Sequence, residues 1–262
     1  MMHKYKQIEY KAGATIEIIK CIPRGCRKGV PRGQPRKKTP EEMREANMRQ
    51  AARKLARKIN ANFRPGDWHI VLTYKRECRP DPEEAQNRIG KLMDKLRDGF
   101  RRRGWTFKYI LVTEYKKKSI HHHLIVNQCN DGKVTTVDLI RKLWKENGHL
   151  QLVPLYDDGE YQNLAEYLIK ETETTFRESD APFRQRYSCS RNLINPKPKT
   201  RLCKAKSWKQ EPVSRRGYYI VPDSLYNGFD KLGYPYQRYT MVKLNPTDAD
   251  WDYKADWPEG GG

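Results

Sequence analysis

The sequence predicts an α+β fold, an antiparallel sheet backed by helices on one face in the split βαβ or ferredoxin-like arrangement. Three observations predict it. Segments rich in β-branched and aromatic residues alternate with amphipathic helical stretches beyond Gly66. Two of the strands are separated only by a short polar turn, which demands antiparallel pairing. The elements run β-α-β-β-α-β with an added helix.

Taken in order, the chain begins with a strongly basic quarter. Residues 1–66 hold 18 Lys+Arg and 5 Asp+Glu, a net of +13 out of +21 for the 262 residues. Residues 23–40 are crowded with Gly, Pro, Arg and Lys and nearly devoid of apolar side chains, the composition of an unpacked linker. Residues 1–38 are therefore expected to be a basic, flexible arm. Thr39-Pro40-Glu41-Glu42 then supplies an N-cap, a proline at the first helical position and a glutamate at the third. In the helix that follows, Met48, Ala51, Ala52, Leu55, Ala56 and Ile59 form an apolar stripe, and Arg49, Arg53 and Arg57 a cationic one. That cationic side is either a solvated face or a phosphate-contacting one.

Trp68 to Tyr74 reads as a strand. Asp81-Pro82-Glu83-Glu84 repeats the helix-start signature, and Ala85, Ile89, Leu92, Met93, Leu96 and Phe100 make the buried stripe of the helix. Strands at Phe107 to Tyr115 and Ile120 to Gln128 flank the turn Lys116 to Ser119. A helix around Val137 to Glu146, a short strand His149 to Val153 and a helix Gly159 to Thr172 complete a domain of residues 39–175. Residues 176–262 form an aromatic-rich, partly irregular extension, strand-like near Gly217 to Val221 and Tyr234 to Leu244.

Composition limits the function classes. An excess of 53 Lys+Arg over 32 Asp+Glu favours a polyanionic partner, nucleic acid first, because neutralised phosphates release condensed counterions. No apolar run approaches the roughly 20 residues a spanning helix needs, and residues 1–20 lack a signal-peptide core, so a cytoplasmic protein is expected, with no membrane partner. Six scattered cysteines then imply free thiols.

The chemistry concentrates in the hairpin. Side chains two apart on a strand share a face, so His121 and His123 point together and His122 points away. A two-residue turn places position 114 opposite 121 or opposite 123, and either register puts Glu114 on the histidine face. Glu114, His121 and His123 would suit a divalent metal, Mn²⁺, Mg²⁺ or Zn²⁺, with open coordination positions. Two histidines on one strand face are also common as plain surface residues. On the later helix, Tyr167 and Lys170 lie three apart on neighbouring positions of one face. A phenol of pKa about 10 is a poor nucleophile at neutral pH, and a nearby cation favours its ionised form.

The series LTY strand, Glu114, His121-x-His123 and Tyr167-x-x-Lys170 resembles the HUH endonuclease superfamily, in particular the rolling-circle replication initiators of bacterial plasmids, phages and integrated elements. The resemblance covers roughly residues 40–175. It implies that Ile70 to Tyr74 is the first motif and that His121 and His123 bind metal, Mn²⁺ or Mg²⁺, with Glu114 as third ligand. Tyr167 would be the nucleophile and Lys170 its partner. His122 departs from the usual hydrophobic residue between the two histidines. The implied reaction nicks single-stranded or hairpin origin DNA, leaving a 5′-phosphotyrosine link and a 3′-hydroxyl that primes a polymerase. No Walker motif is present, so helicase and polymerase would come from the host. Position 163, one turn before Tyr167, is Asn, and Tyr161 lies about 120° round the helix, which predicts a single-tyrosine enzyme. Phosphate contacts are expected from Arg49, Arg53, Arg57 and the turn lysines Lys116, Lys117 and Lys118. A mobilisation relaxase or single-strand transposase would share this chemistry, and a non-catalytic single-strand binder would share the basic charge and the tyrosines.

Overall fold

The computed structural model describes residues 4–33, 39–116, 119–156, 158–173 and 185–252. The described residues form an α+β structure with two antiparallel sheets and four α-helices. The first sheet carries the predicted order: β3 (Trp68–Tyr74), α2 (Pro82–Arg102), β4 (Tyr109–Lys116), β5 (Ser119–Val126), α3 (Thr136–Trp144) and β6 (Gly148–Pro154). Its strands lie side by side as β6-β3-β5-β4, with the short β7 (Ser188–Cys189) added beyond β4. The hairpin strands β4 and β5 are thus both interior, each with a neighbour on either side.

Alternation along these strands separates two cores. Ile70, Leu72, Leu111, Leu124 and Val126 face α2 and α3 and pack with Ile89, Leu96, Phe100, Ile140 and Trp144. The predicted apolar stripe of α2, Ala85 to Phe100, is buried at each named position. Helices α1 and α2 begin where the sequence caps them. Thr39 and Glu42 form a reciprocal capping box before α1 (Pro40–Asn62), and Asp81 accepts from the Glu84 amide before α2.

The opposite face is not left entirely free, as helices confined to one side would require. Ile110, Val112 and Ile125 on that face are covered by α1 and by α4 (Gln162–Glu171), through Ala52, Leu55, Ala56 and Ile59 from the first and Leu164, Ala165, Leu168 and Ile169 from the second. The added helices are amphipathic, and their apolar stripes need a partner that only this face supplies. The coverage stops at the β4 side. Val71 and Thr73 of β3 stay half-buried, and His149 and Gln151 of β6 are exposed.

The N-terminal segment also departs from the predicted flexible arm. β1 (Tyr5–Ala12) and β2 (Thr15–Cys21) form a hairpin in a second, six-stranded sheet of order β10-β11-β2-β1-β8, in which β8 is Lys199–Cys203, β10 Tyr226–Phe229 and β11 Pro235–Lys243; β9 (Tyr218–Ile220) pairs with β11. The strand-like stretches expected near 217–221 and 234–244 are thus real: the first pairs with the second, and the second pairs with β2 at the start of the chain. Ile16, Ile18, Tyr239 and Met241 form a core on one face of this sheet. Of the expected linker, residues 34–38 lie outside the described residues; before them Arg27 and Arg32 stack on Tyr234 and the Gly33 amide donates to the Gly233 carbonyl.

Helix α1 joins the two sheets. Its apolar stripe faces the first, while Arg57 ion-pairs with Glu17 of β2 and lies over the Tyr10 ring of β1, 3.7 Å from its centroid. Part of the cationic stripe is therefore engaged within the chain. At its end, the buried Asn60 donates to Thr15 Oγ1 (3.1 Å), accepts from the Tyr161 amide (3.1 Å) and offers its carbonyl to Trp251 Nε1 (2.9 Å). Gly13, at φ 57° in the β1–β2 turn, approaches this carbonyl so closely that a Cβ would lie 2.2 Å from it. Deleting residues 1–22 should accordingly cost more than DNA affinity. It removes two interior strands of the second sheet, β1 and β2, so the truncated chain should show a lower, less cooperative thermal transition by circular dichroism. An unaltered transition would show that the second sheet is dispensable.

All six cysteines are free thiols. Among the described residues no helix is long and apolar enough to cross a membrane.

Candidate active site

The β4–β5 register sets the site. Glu114 lies directly opposite His121, Val112 opposite His123 and Lys116 opposite Ser119. Across β5, His121 faces Thr73 and His123 faces Val71 of β3; β6 adds His149 beside Thr73. Since directly opposed residues share a face, one row reads Glu114, His121, Thr73, His149 and the next Val112, His123, Val71, Gln151. Glu114 and His123 are each only 2% exposed, and His121 is half-buried.

His122 points into the other core. Its Nε2 is 2.8 Å from Tyr74 Oη, its Nδ1 is 2.9 Å from Thr113 Oγ1, and its ring stands edge-on to Trp144. Burial depresses its pKa to about 3, so it is a neutral, hydrogen-bonded core residue. It occupies an apolar position because Tyr74 and Thr113 satisfy both ring nitrogens there.

A fourth residue joins the site. His69, at the start of β3, shares the face of Val71 and Thr73, and its Nε2 lies 3.2 Å from His123 Nδ1, with the rings stacked at 5.4 Å and 26°. His123 Nε2 is in turn 3.5 Å from Glu114 Oε2. Burial, with the neighbouring His123 adding to it, lowers the His69 pKa to about 4, so His69 is neutral and one nitrogen of the 3.2 Å pair must donate while the other accepts. The strand sequence WHIVLTY gives the parity of His69 with Val71 and Thr73 but not the register between β3 and β5, which no short turn fixes.

Helix α4 brings the tyrosine. Its start is tied down by the Tyr161 amide bond to Asn60 and by Gly159, at φ 69°, where a Cβ would lie 2.8 Å from the Trp251 ring. Tyr161 itself is the N-cap residue, fully buried, with its hydroxyl donating to the Tyr156 carbonyl at 3.2 Å. Tyr167, further along α4, is 43% exposed and places its ring edge-on against His123, 5.4 Å between centroids. Lys170 is exposed in the last turn, and Asn163 is exposed one turn before Tyr167.

The other residues predicted to touch DNA fall in different places. Arg49 is exposed and pairs with Glu45 at 3.3 Å, Arg57 is turned to Glu17, and Arg53 is half-buried between α1 and the second sheet. Lys116 closes β4; Lys117 and Lys118 lie outside the described residues.

Glu160, just before α4, gives the site a pH-dependent support. Burial raises its carboxyl pKa from 4.5 to about 7, with Asp158 and Glu166 adding to the shift against a hydrogen bond from the Gln162 amide. A raised folded value means that its contribution to stability is complete below about pH 4.5 and is lost as pH rises through 7. Glu160→Gln stays uncharged, so it should unfold like wild type at pH 5 and be more stable at pH 8 by roughly 1–3 kcal/mol. Parallel denaturant curves at the two pH values check this; a gap that does not grow with pH counts against it.

Among the described residues no three His, Cys, Asp or Glu side chains are drawn together tightly enough to hold a metal ion. The backbone nevertheless places one carboxylate and two imidazoles on adjoining positions of one face, a mixed oxygen and nitrogen donor set of the kind that suits Mn²⁺ or Mg²⁺ with positions left for substrate oxygen.

Comparison with known proteins links this part of the chain to replication. Residues 67–175 match the model of a family described as Replication-associated protein, of the ORF2 kind. The matched segment runs from just before β3 to just beyond α4 and contains Glu114, His121, His123, Tyr167 and Lys170, but neither α1 nor the second sheet. No curated protein and no solved structure matches the chain.

Proposed function

We propose that the chain is an HUH-type, single-tyrosine nuclease that nicks and rejoins single-stranded or hairpin origin DNA and so initiates rolling-circle replication. The observation that carries this reading is the seating of Tyr167 on the histidine face, its ring against His123 while 43% of it remains open to solvent. A tyrosine held there is accessible to a DNA strand laid along the uncovered side of the sheet. The match of residues 67–175 to replication-associated proteins supports the same reading.

In this scheme the Tyr167 oxygen attacks the scissile phosphorus, the bond from phosphorus to the 3′ oxygen breaks, and the tyrosine becomes esterified to the 5′ phosphate. The phenolic proton is lost and the departing 3′ oxygen gains one, so the exchange conserves a phosphodiester and needs no ATP for rejoining. Lys170, one turn along the exposed side of α4, favours the phenolate by its charge. Glu114, His121 and His123 would hold Mn²⁺ or Mg²⁺, which when bound supplies positive charge to the non-bridging phosphate oxygens. His69 keeps the His123 ring from rotating and fixes its tautomer. The free 3′-hydroxyl primes a host polymerase, and strand separation falls to a host helicase.

The experiment is direct. Wild-type protein incubated with single-stranded DNA and Mn²⁺ should form a denaturation-resistant adduct, detected as a gel shift; a non-catalytic binder forms none and is indifferent to the metal.

A further inference from the structure

Apart from the histidine face, α1, the start of α4 and the second sheet enclose a cleft of about 210 Å³. Its wall carries Arg53 and Arg57 from α1, Glu17 from β2 and Arg238 from β11, with Arg49 at the rim. Glu17 is taken by Arg57, which leaves two guanidinium groups without an acid of their own. Arg53 and Arg238 make no hydrogen bond or ion pair among the described residues, although both are half-buried. They feel each other: after burial, Arg238 is the largest influence lowering the Arg53 pKa. Glu17 is the one acid that bears on Arg53; Asp223, Glu160 and Glu166 also line the cleft. There Glu166 accepts from Gln162 Nε2, and Glu160 is held largely uncharged below about pH 7.

Two neighbouring half-buried arginines are costly to keep together unless something anionic completes them. The adjoining surface says what that is. Tyr226 of β10 lies directly opposite Arg238, shares its face, is 47% exposed and sits 6.0 Å from the Tyr236 ring. A cationic clamp beside an exposed aromatic ring is the combination that holds a nucleotide of a single strand, the guanidinium groups on the phosphate and the ring under the base.

We propose that this cleft is a second DNA-binding site, in which Arg53 and Arg238 clamp one backbone phosphate and Tyr226 stacks the adjoining base. Arg53, Arg238 and Tyr226 all lie outside residues 67–175, in the part of the chain that the family comparison does not reach. The inference rests on reading the protein as one that acts on DNA, but not on its nicking chemistry.

The full-length chain tests it without cleavage, by fluorescence anisotropy with a single-stranded oligodeoxynucleotide in EDTA across a salt series. Arg238→Gln should bind several-fold more weakly at low salt, and Arg53→Gln combined with Arg238→Gln should lower the slope of log K against log salt by about 0.7. Tyr226→Ala should lose roughly fivefold or more in affinity with the slope unchanged, because stacking releases no counterion. Arg238→Gln should melt no lower than wild type, since it relieves a like-charge contact; a structural arginine would lower the melting temperature. Inorganic phosphate separates the sources. If it stabilises wild type but not Arg238→Gln while the DNA slope stays unchanged in the double variant, the site belongs to a small phosphorylated ligand and the DNA assignment is overturned. An unchanged slope and affinity without any phosphate effect overturns the site altogether. A wild-type protein that binds with the expected slope yet forms no covalent adduct removes the nicking reading alone.

Discussion

Tyr167→Phe should bind single-stranded origin DNA with near wild-type affinity and form no covalent adduct. The substitution removes one oxygen and leaves the ring with its edge-on packing against His123 at 5.4 Å, while α4 stays held by its buried Leu164, Ala165, Leu168 and Ile169. Binding energy and geometry therefore survive while the attacking atom is gone, and the loss falls on turnover alone. Tyr161→Phe provides the contrast. Its hydroxyl donates to the Tyr156 carbonyl in a fully buried position, so its removal should cost about 1 kcal/mol of stability and leave adduct formation intact. Lys170→Ala should slow the reaction without abolishing it, because charge on the phosphate would still be met at the Glu114, His121 and His123 face. Peptide mapping of the trapped adduct decides: a nucleotide on the Tyr161 peptide, or persistent adduct in Tyr167→Phe, would assign the nucleophile elsewhere.

How much of this was legible in the sequence follows from the range of each interaction. The pairing of Glu114 with His121 could be read because a short turn leaves few registers and strand parity does the rest. The assignment of His122 to the core follows from the same parity. His69 could not be read in this way, since its contact with His123 depends on a register set across 54 residues by packing of whole elements. The second sheet was hidden more deeply: β2 is flanked by β1 and by β11, and the latter begins more than 200 residues later. One local signal was present. Thr15 to Ile22 is a run of β-branched residues with alternating burial potential, and the surrounding lysines and arginines masked it as part of a basic arm. The stripe Arg49, Arg53, Arg57 shows the converse limit. Periodicity places the three on one side of α1, but only the tertiary structure shows that Glu17 and Tyr10 lie over that side and claim Arg57.

His121→Ala should eliminate metal-dependent cleavage, by roughly 10³-fold or more, with little change in thermal stability. His121 is half-buried at the open end of the sheet, its row neighbours Thr73 and His149 are polar, and truncation there leaves no apolar cavity. His123→Ala should lose cleavage to the same degree but also soften the fold, because the ring it removes is stacked on His69, approaches Glu114 and supports Tyr167. The two variants thus separate ligation from packing. Titration calorimetry with Mn²⁺ supplies a readout independent of turnover: both variants should bind the ion far more weakly than wild type, and His122→Gln, whose side chain faces the other core, should bind it normally while unfolding at lower temperature. If His121→Ala and His123→Ala retain Mn²⁺ affinity and cleavage while His122→Gln loses them, the ligand set lies on the opposite face of β5 and the assignment of the site is wrong.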